Sequence, residues 1–251
     1  MKGLISALMA TILTLPLQAQ TIHGVTEETS YSFLKDGKVV GSATEVVELS
    51  LKQAGLSDYQ ISLYPWARAY DMALKEPNVL IFLIARTSAR ELQFKWAGEI
   101  MKIQFHFYRL KGRNIVVKNL QDARNFNIGV MRDDVRHQYL KEKGFSRLVV
   151  SAQQVDNFRK LLNGQVDIVP MPDDDAASLC KETHFSCENL EKIYTLDEMS
   201  TGLYMAYSNS TPDAIVERTK SAFEKIRAAG VVKTVLQHTS LRANPAVPNH
   251  Q

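Results

Sequence analysis

The sequence predicts an α/β protein of two lobes, and three observations carry that expectation. Strand-like and helix-like segments alternate from Ser42 to Ala85, and they alternate again from Asn127 to Pro170. Two longer segments of alternating apolar and polar residues, IMKIQFHFYRLKG at 100–112 and TGLYMAYS at 201–208, each suit one long strand. Alternation of β and α predicts parallel sheets covered by helices on both faces. Two long strands that bracket an internal α/β unit predict two lobes joined by two crossings.

Taken in order, MKGLISALMATILTLPLQAQ carries one cation at Lys2, an apolar run from Leu4 to Leu17 and a small residue at Ala19. This reads as a secretory signal peptide over 1–19. The run is too short, and too interrupted by Thr11, Thr14 and Pro16, for a membrane span. The mature chain is therefore expected to be soluble and exported, with a periplasmic location. Ser42-Ala-Thr-Glu45 has the spacing of a capping box, and the helix it opens runs to a glycine stop at Gly55. QISLY (60–64) reads as a strand, WARAYDMALKE (66–76) as a helix and VLIFLIA (79–85) as a buried strand. In the second run, NIGVM is a strand, Val135–Lys143 a helix stopped by Gly144, RLVVS a strand, Val155–Leu162 a helix stopped by Gly164, and VDIVP a strand. Thr211 is placed to cap a helix with Pro212 at its first position, and Ile215, Ala222, Phe223 and Ile226 form its apolar stripe. A last helix, VVKTVLQHTS, leads to a Pro/Asn tail expected to be disordered.

Charge is nearly balanced, with 30 Lys plus Arg against 27 Asp plus Glu, and the basic residues are dispersed. A nucleic-acid partner is not expected. The only two cysteines, Cys180 and Cys187, flank a polar stretch. In an oxidising compartment the pair is expected to close a small disulfide loop, the alternative being two free buried thiols. His184 between them does not complete a zinc site, because four-ligand spacing is absent. MPDDDAAS lacks the glycine and the closing glutamate of a calcium loop, and reads better as the solvated start of a helix. No metal and no cofactor is expected.

The segments ARTSARELQFKWAGEI and LLNGQVDIVPM resemble the T-x-x-R and G-x-x-D motifs of the periplasmic solute-binding proteins of the polar amino acid type, components of ABC importers. YPWARAY, EPNVLIF and RDDVRHQYL are similar to a sub-group of short proteins in that family. The resemblance implies the type II periplasmic-binding-protein fold: two mixed sheets flanked by helices, joined by a two-strand hinge, closing on a small solute. Lobe 1 would comprise 20–104 and 207–251, and lobe 2 would comprise 105–206. It also implies a monomer, with an inner-membrane ABC permease or a sensor receptor as protein partner.

Thr87 and Arg90 fall on the T-x-x-R positions, where the family's arginine clamps the ligand's carboxylate. A planar guanidinium is suited to that by two parallel hydrogen bonds. The plainer alternative is an ion pair between Arg90 and Glu91. Where the family often has ligand-binding serines this chain has Leu83 and Ala85, and where it has a Gly-Ser-Thr turn this chain has Asp133-Asp134-Val135. The family's amine-binding acid maps to Pro172 or, with a one-residue shift, to Asp173. Arg132 and Asp133 stand at the carboxyl end of a strand, the edge that lines ligand crevices in open α/β sheets. Asp134 reads as the cap of the next helix, and Arg136 as a surface residue. Tyr64, Trp66 and Arg68 around Pro65 could form an aromatic wall with a cation, Trp66 packing in the core or Arg68 pairing with Asp71 being the alternatives. An acid/base pair of Asp133 with Asp173 is the enzymatic alternative, but no nucleophile elbow, metal cluster or phosphate loop accompanies it, so an enzyme is not expected.

Overall fold

Local sequence patterns become a five-stranded sheet, a three-stranded sheet and two two-stranded ribbons, seen in a computed structural model described for residues 21–199 and 201–243. The leader expected at 1–19 and the Pro/Asn tail lie outside those residues. The chain opens with strand β1 (Ile22–Thr26) and a short hairpin, β2 (Phe33–Lys35) and β3 (Lys38–Val40). Asp36 and Gly37 join the hairpin, both at positive φ, the combination that two-residue hairpin turns favour. Helix α1 (Ser42–Gln53), β4 (Tyr59–Leu63), α2 (Trp66–Lys75), β5 (Val79–Ala85) and β6 (Phe94–Ile103) complete the first α/β run.

The second run comprises β7 (His106–Leu110), β8 (Ile128–Met131), α3 (Val135–Glu142), β9 (Leu148–Ser151), α4 (Gln154–Leu162), β10 (Val169–Met171), α5 (Asp173–Glu182) and β11 (Leu190–Thr195). The chain then returns through β12 (Thr201–Ser208) and closes with α6 (Asp213–Ala228) and α7 (Val231–Ala243).

The first sheet is mixed, in the order β4-β1-β5-β12-β6. β1 runs parallel to both β4 and β5, while β12 lies antiparallel between β5 and β6. β5 is buried along its whole length, as an unbroken run of apolar residues requires of an inner strand. In the second lobe β7 pairs antiparallel with β10 and β11, β8 pairs parallel with β9, and an Ile128–Ile168 bridge links the two groups.

Three readings from the sequence need correction. The segment at 100–112 is two strands, because β6 ends at Ile103 in the first sheet and β7 begins at His106 in the second. Both caps move by one residue. Gly41, at φ 131°, precedes α1, so Ser42 is inside the helix with its Oγ buried and unpartnered. Pro212 precedes α6, and Thr211 bonds Ser208 instead. Finally, β12 lies wholly in the first sheet, so the return crossing comes before Thr201 rather than at 206/207.

The two crossings run side by side. The Leu196 N–H donates to the Phe105 carbonyl at 2.9 Å, and the Gln104 side-chain amide donates to Asp197 at 3.3 Å. In the second lobe the expected Cys180–Cys187 disulfide is formed.

Candidate functional site

The site is built from strand ends. β1 delivers Glu27 and the loop bearing Tyr31, β5 delivers Leu83 and Ala85, and the turn after β5 delivers Arg90. From the second lobe, the end of β8 presents Asp134, Val135 and Arg136, and the first turn of α5 presents Asp175. Together they enclose a cavity of about 40 Å³ between the lobes. That is room for on the order of three water-sized groups.

Arg90 is the largest side chain among the fully buried ones, with 1% of its surface exposed. Its Nη1 donates to the Ala85 carbonyl at 3.2 Å and its Nη2 to the Asp133 carbonyl at 3.1 Å, so it touches both lobes. The Tyr70 and Trp66 rings lie 4.9 and 5.7 Å from its guanidinium carbon. Its Nε is buried without a partner. The ion pair with Glu91 does not form, because Arg86 takes Glu91 with two hydrogen bonds. Burial lowers the Arg90 pKa, yet a guanidinium keeps its charge in proteins. A buried cation with an unused donor at a cavity wall is costly unless something anionic or polar meets it.

Around the same cavity stand three carboxylates and a second arginine. Asp134 accepts from the Arg136 backbone N–H at 2.9 Å, which caps α3 as expected, and it also pairs with the Arg136 Nε. Burial alone would raise the Asp134 carboxyl, but Arg136 outweighs it and holds the carboxyl below its ordinary value. Arg136 donates as well to the Pro170 carbonyl at 3.2 Å and is buried, so the surface position expected for it is corrected. Burial pushes Asp175 up to about 6. Burial, then the neighbouring Asp134, pushes Glu27 up to about 8, and among the described residues its carboxylate has no hydrogen-bond or ion-pair partner.

Two residues hold left-handed backbone at this spot. Leu83, at φ 58°, lies where the β5–β12 register shifts, and its side chain lines the cavity. Asp133, also at φ 58°, turns its carbonyl to three donors, from Trp66, Arg90 and Gln138. Such conformations cost about 1–3 kcal/mol for a non-glycine residue and gather at binding sites.

Known proteins resemble the chain in structure. No family model matches the sequence, and among curated proteins no match is found. A histidine kinase sensor domain with similarity to periplasmic binding proteins superposes with a TM-score of 0.78 at 17% identity, covering 88% of this chain and 95% of its own. ArtJ of Geobacillus stearothermophilus, an arginine-, lysine- and histidine-binding protein, gives 0.74 at 17%, covering 92% and 97%. AbpA of Streptococcus pneumoniae, an amino acid ABC transporter substrate-binding protein bound to L-arginine, gives 0.75 at 14%, covering 90% and 97%. The chain has the two-lobed binding-protein fold.

In the cleft of this binding-protein fold, Trp66 and Arg90 are the sequence candidates that line the cavity. Thr87 is half-buried just before the turn that carries Arg90, whose N–H bonds its carbonyl at 3.0 Å. Tyr64 and Arg68 stack on each other at 4.5 Å outside the cavity lining, and Asp71 pairs with Lys75. Arg132 and Asp133 have exposed side chains, and Asp133 contributes through its backbone. Asp173 is exposed and held by Lys192 at 2.7 Å and by the Tyr108 hydroxyl. Two residues on, Asp175 takes the cavity position. Glu27, Asp175 and the inward face of Arg136 were missed. The signal for Glu27 was available, since it follows a short apolar strand at its carboxyl end.

Proposed function

We propose that this protein captures a small, carboxylate-bearing, amino-acid-like solute between its lobes and delivers it to an inner-membrane ABC importer. The observation that carries the reading is Arg90, wholly buried at the cavity wall with an unpartnered Nε. A carboxylate on this side and a cationic group toward Glu27 and Asp175 would satisfy both ends of the cavity. The bipolar lining suits a zwitterion. Export to the periplasm, one polypeptide per functional unit and the absence of catalysis belong to the same reading. The neighbouring folds named above support binding rather than chemistry. One of them serves a sensor, so a membrane receptor is the alternative recipient of the same captured solute.

A thermal-shift screen against amino acids, short peptides, dicarboxylates, polyamines and sugars tests this. A ligand at about a hundred times its dissociation constant adds roughly 2.7 kcal/mol of stability, a shift of about 5–10 °C for a chain of this size. Arg90→Ala is expected to weaken binding tenfold or more, because a hydrogen bond to a charged group contributes about 1.5–3 kcal/mol. Unchanged affinity by calorimetry would remove Arg90 from the ligand contacts.

A further inference from the structure

Closure brings three carboxylates to one small cavity. Glu27 comes from the first lobe, Asp134 and Asp175 from the second, and the cations lining the same cavity are Arg90 and Arg136. Arg136 is spent on Asp134, Arg90 on two backbone carbonyls, and Asp175 receives the Ser30 hydroxyl at 3.4 Å. Glu27 is left facing Asp134, Arg136 and Asp175, with the Tyr31 phenol, itself bonded to Asp174, alongside. In formal charge the closed cavity is one positive charge short.

The geometry points to a charge-balanced closure: the lobes close over a solute of zero net charge by taking up one proton at Glu27, whereas a solute of net charge +1 supplies that charge itself and displaces the proton. This rests on the solute-binding reading and adds to it the coupling between capture and pH. The step is a simple protonation, in which a solvent proton adds to a Glu27 carboxylate oxygen and no bond breaks in the solute. The direction of the Glu27 shift agrees. Its carboxyl rises from an ordinary 4.5 to about 8 in the closed cavity. A raised pKa favours the closed state in full below about 4.5, and that advantage is lost as pH rises through about 8. Asp175, raised to about 6, adds a second step of the same sign at lower pH. One coupled proton changes the closure equilibrium roughly tenfold per pH unit inside that window.

Two measurements test it. Small-angle scattering of the solute-free protein is expected to show a radius of gyration that grows as pH rises from 6 to 9, while Glu27→Gln keeps the compact value throughout. Calorimetry at pH 7 in phosphate and in Tris is expected to show close to one more proton held in the L-glutamine complex than in the L-lysine complex. A pH-independent radius in the wild type, or a Glu27→Gln variant that opens as the wild type does, overturns the proposal. Should the variant not fold, the wild-type titration alone decides. Failure of the solute-binding reading looks different: no solute in the screen binds, yet closure still follows pH.

Discussion

Arg136 and Asp134 show what a single residue pair does here. Both are buried, with 4% and 6% of their surface exposed, and each is the other's ion-pair partner. Removing one partner of a buried pair leaves an uncompensated charge, which costs about 3–5 kcal/mol, whereas replacing both with apolar residues is far milder. Arg136→Met is therefore expected to lose about that much stability in urea denaturation, and the double variant Asp134→Leu/Arg136→Met to recover most of it. If the single variant is as stable as the wild type, the pair is not shielded from water as described. The sequence showed Asp134 as a cap and missed its second role, because capping depends on spacing while burial of Arg136 depends on what packs over it. Arg90 was legible for the opposite reason: its spacing from Thr87 fits a known motif, and the rival partner Glu91 is claimed by Arg86.

Elements followed local chemistry closely, and their errors are also local. Helix ends at Gly55, Gly144 and Gly164 were readable because each glycine stands at positive φ just past its helix. The two N-termini slipped by one residue, since Gly41 and Pro212 take the extended position that a Ser or Thr side chain was expected to fill. Packing between elements left clear marks at small residues. A Cβ on Gly98 of β6 would run into the Phe223 ring of α6, so that ring packs directly on the strand backbone. Gly98→Ala should cost about 1–3 kcal/mol through overpacking, and Gly98→Ala with Phe223→Leu should cost less than Gly98→Ala alone. Thermal unfolding of the two variants checks this; equal Tm values for Gly98→Ala and wild type would mean that the helix can shift freely.

Contact between the lobes is a property of the whole molecule, and a few donors hold it. Trp66 Nε1 donates to the Asp133 carbonyl at 3.0 Å, joining α2 of one lobe to the end of β8 in the other. Trp66→Phe keeps the ring and removes that donor. A neutral hydrogen bond contributes about 1 kcal/mol net, so the closed-to-open equilibrium constant should fall roughly fivefold. Solution scattering at acidic pH reads this as a larger mean radius, and an unchanged radius would show that the bond does not hold the lobes together.

By itself the sequence determined the α/β class, the alternation within each lobe and the disulfide. These depend on periodicity, turn residues and short spacings, which act over a few residues and are written along the chain. Only the tertiary structure decided that β12 belongs to the first sheet, that Asp175 rather than Asp173 lines the cavity, and that Glu27 meets Asp134 across it. Strand order and lobe closure bring together positions that lie more than a hundred residues apart. The charge of a carboxylate there is set by water exclusion and by neighbours on another lobe, neither of which local spacing encodes.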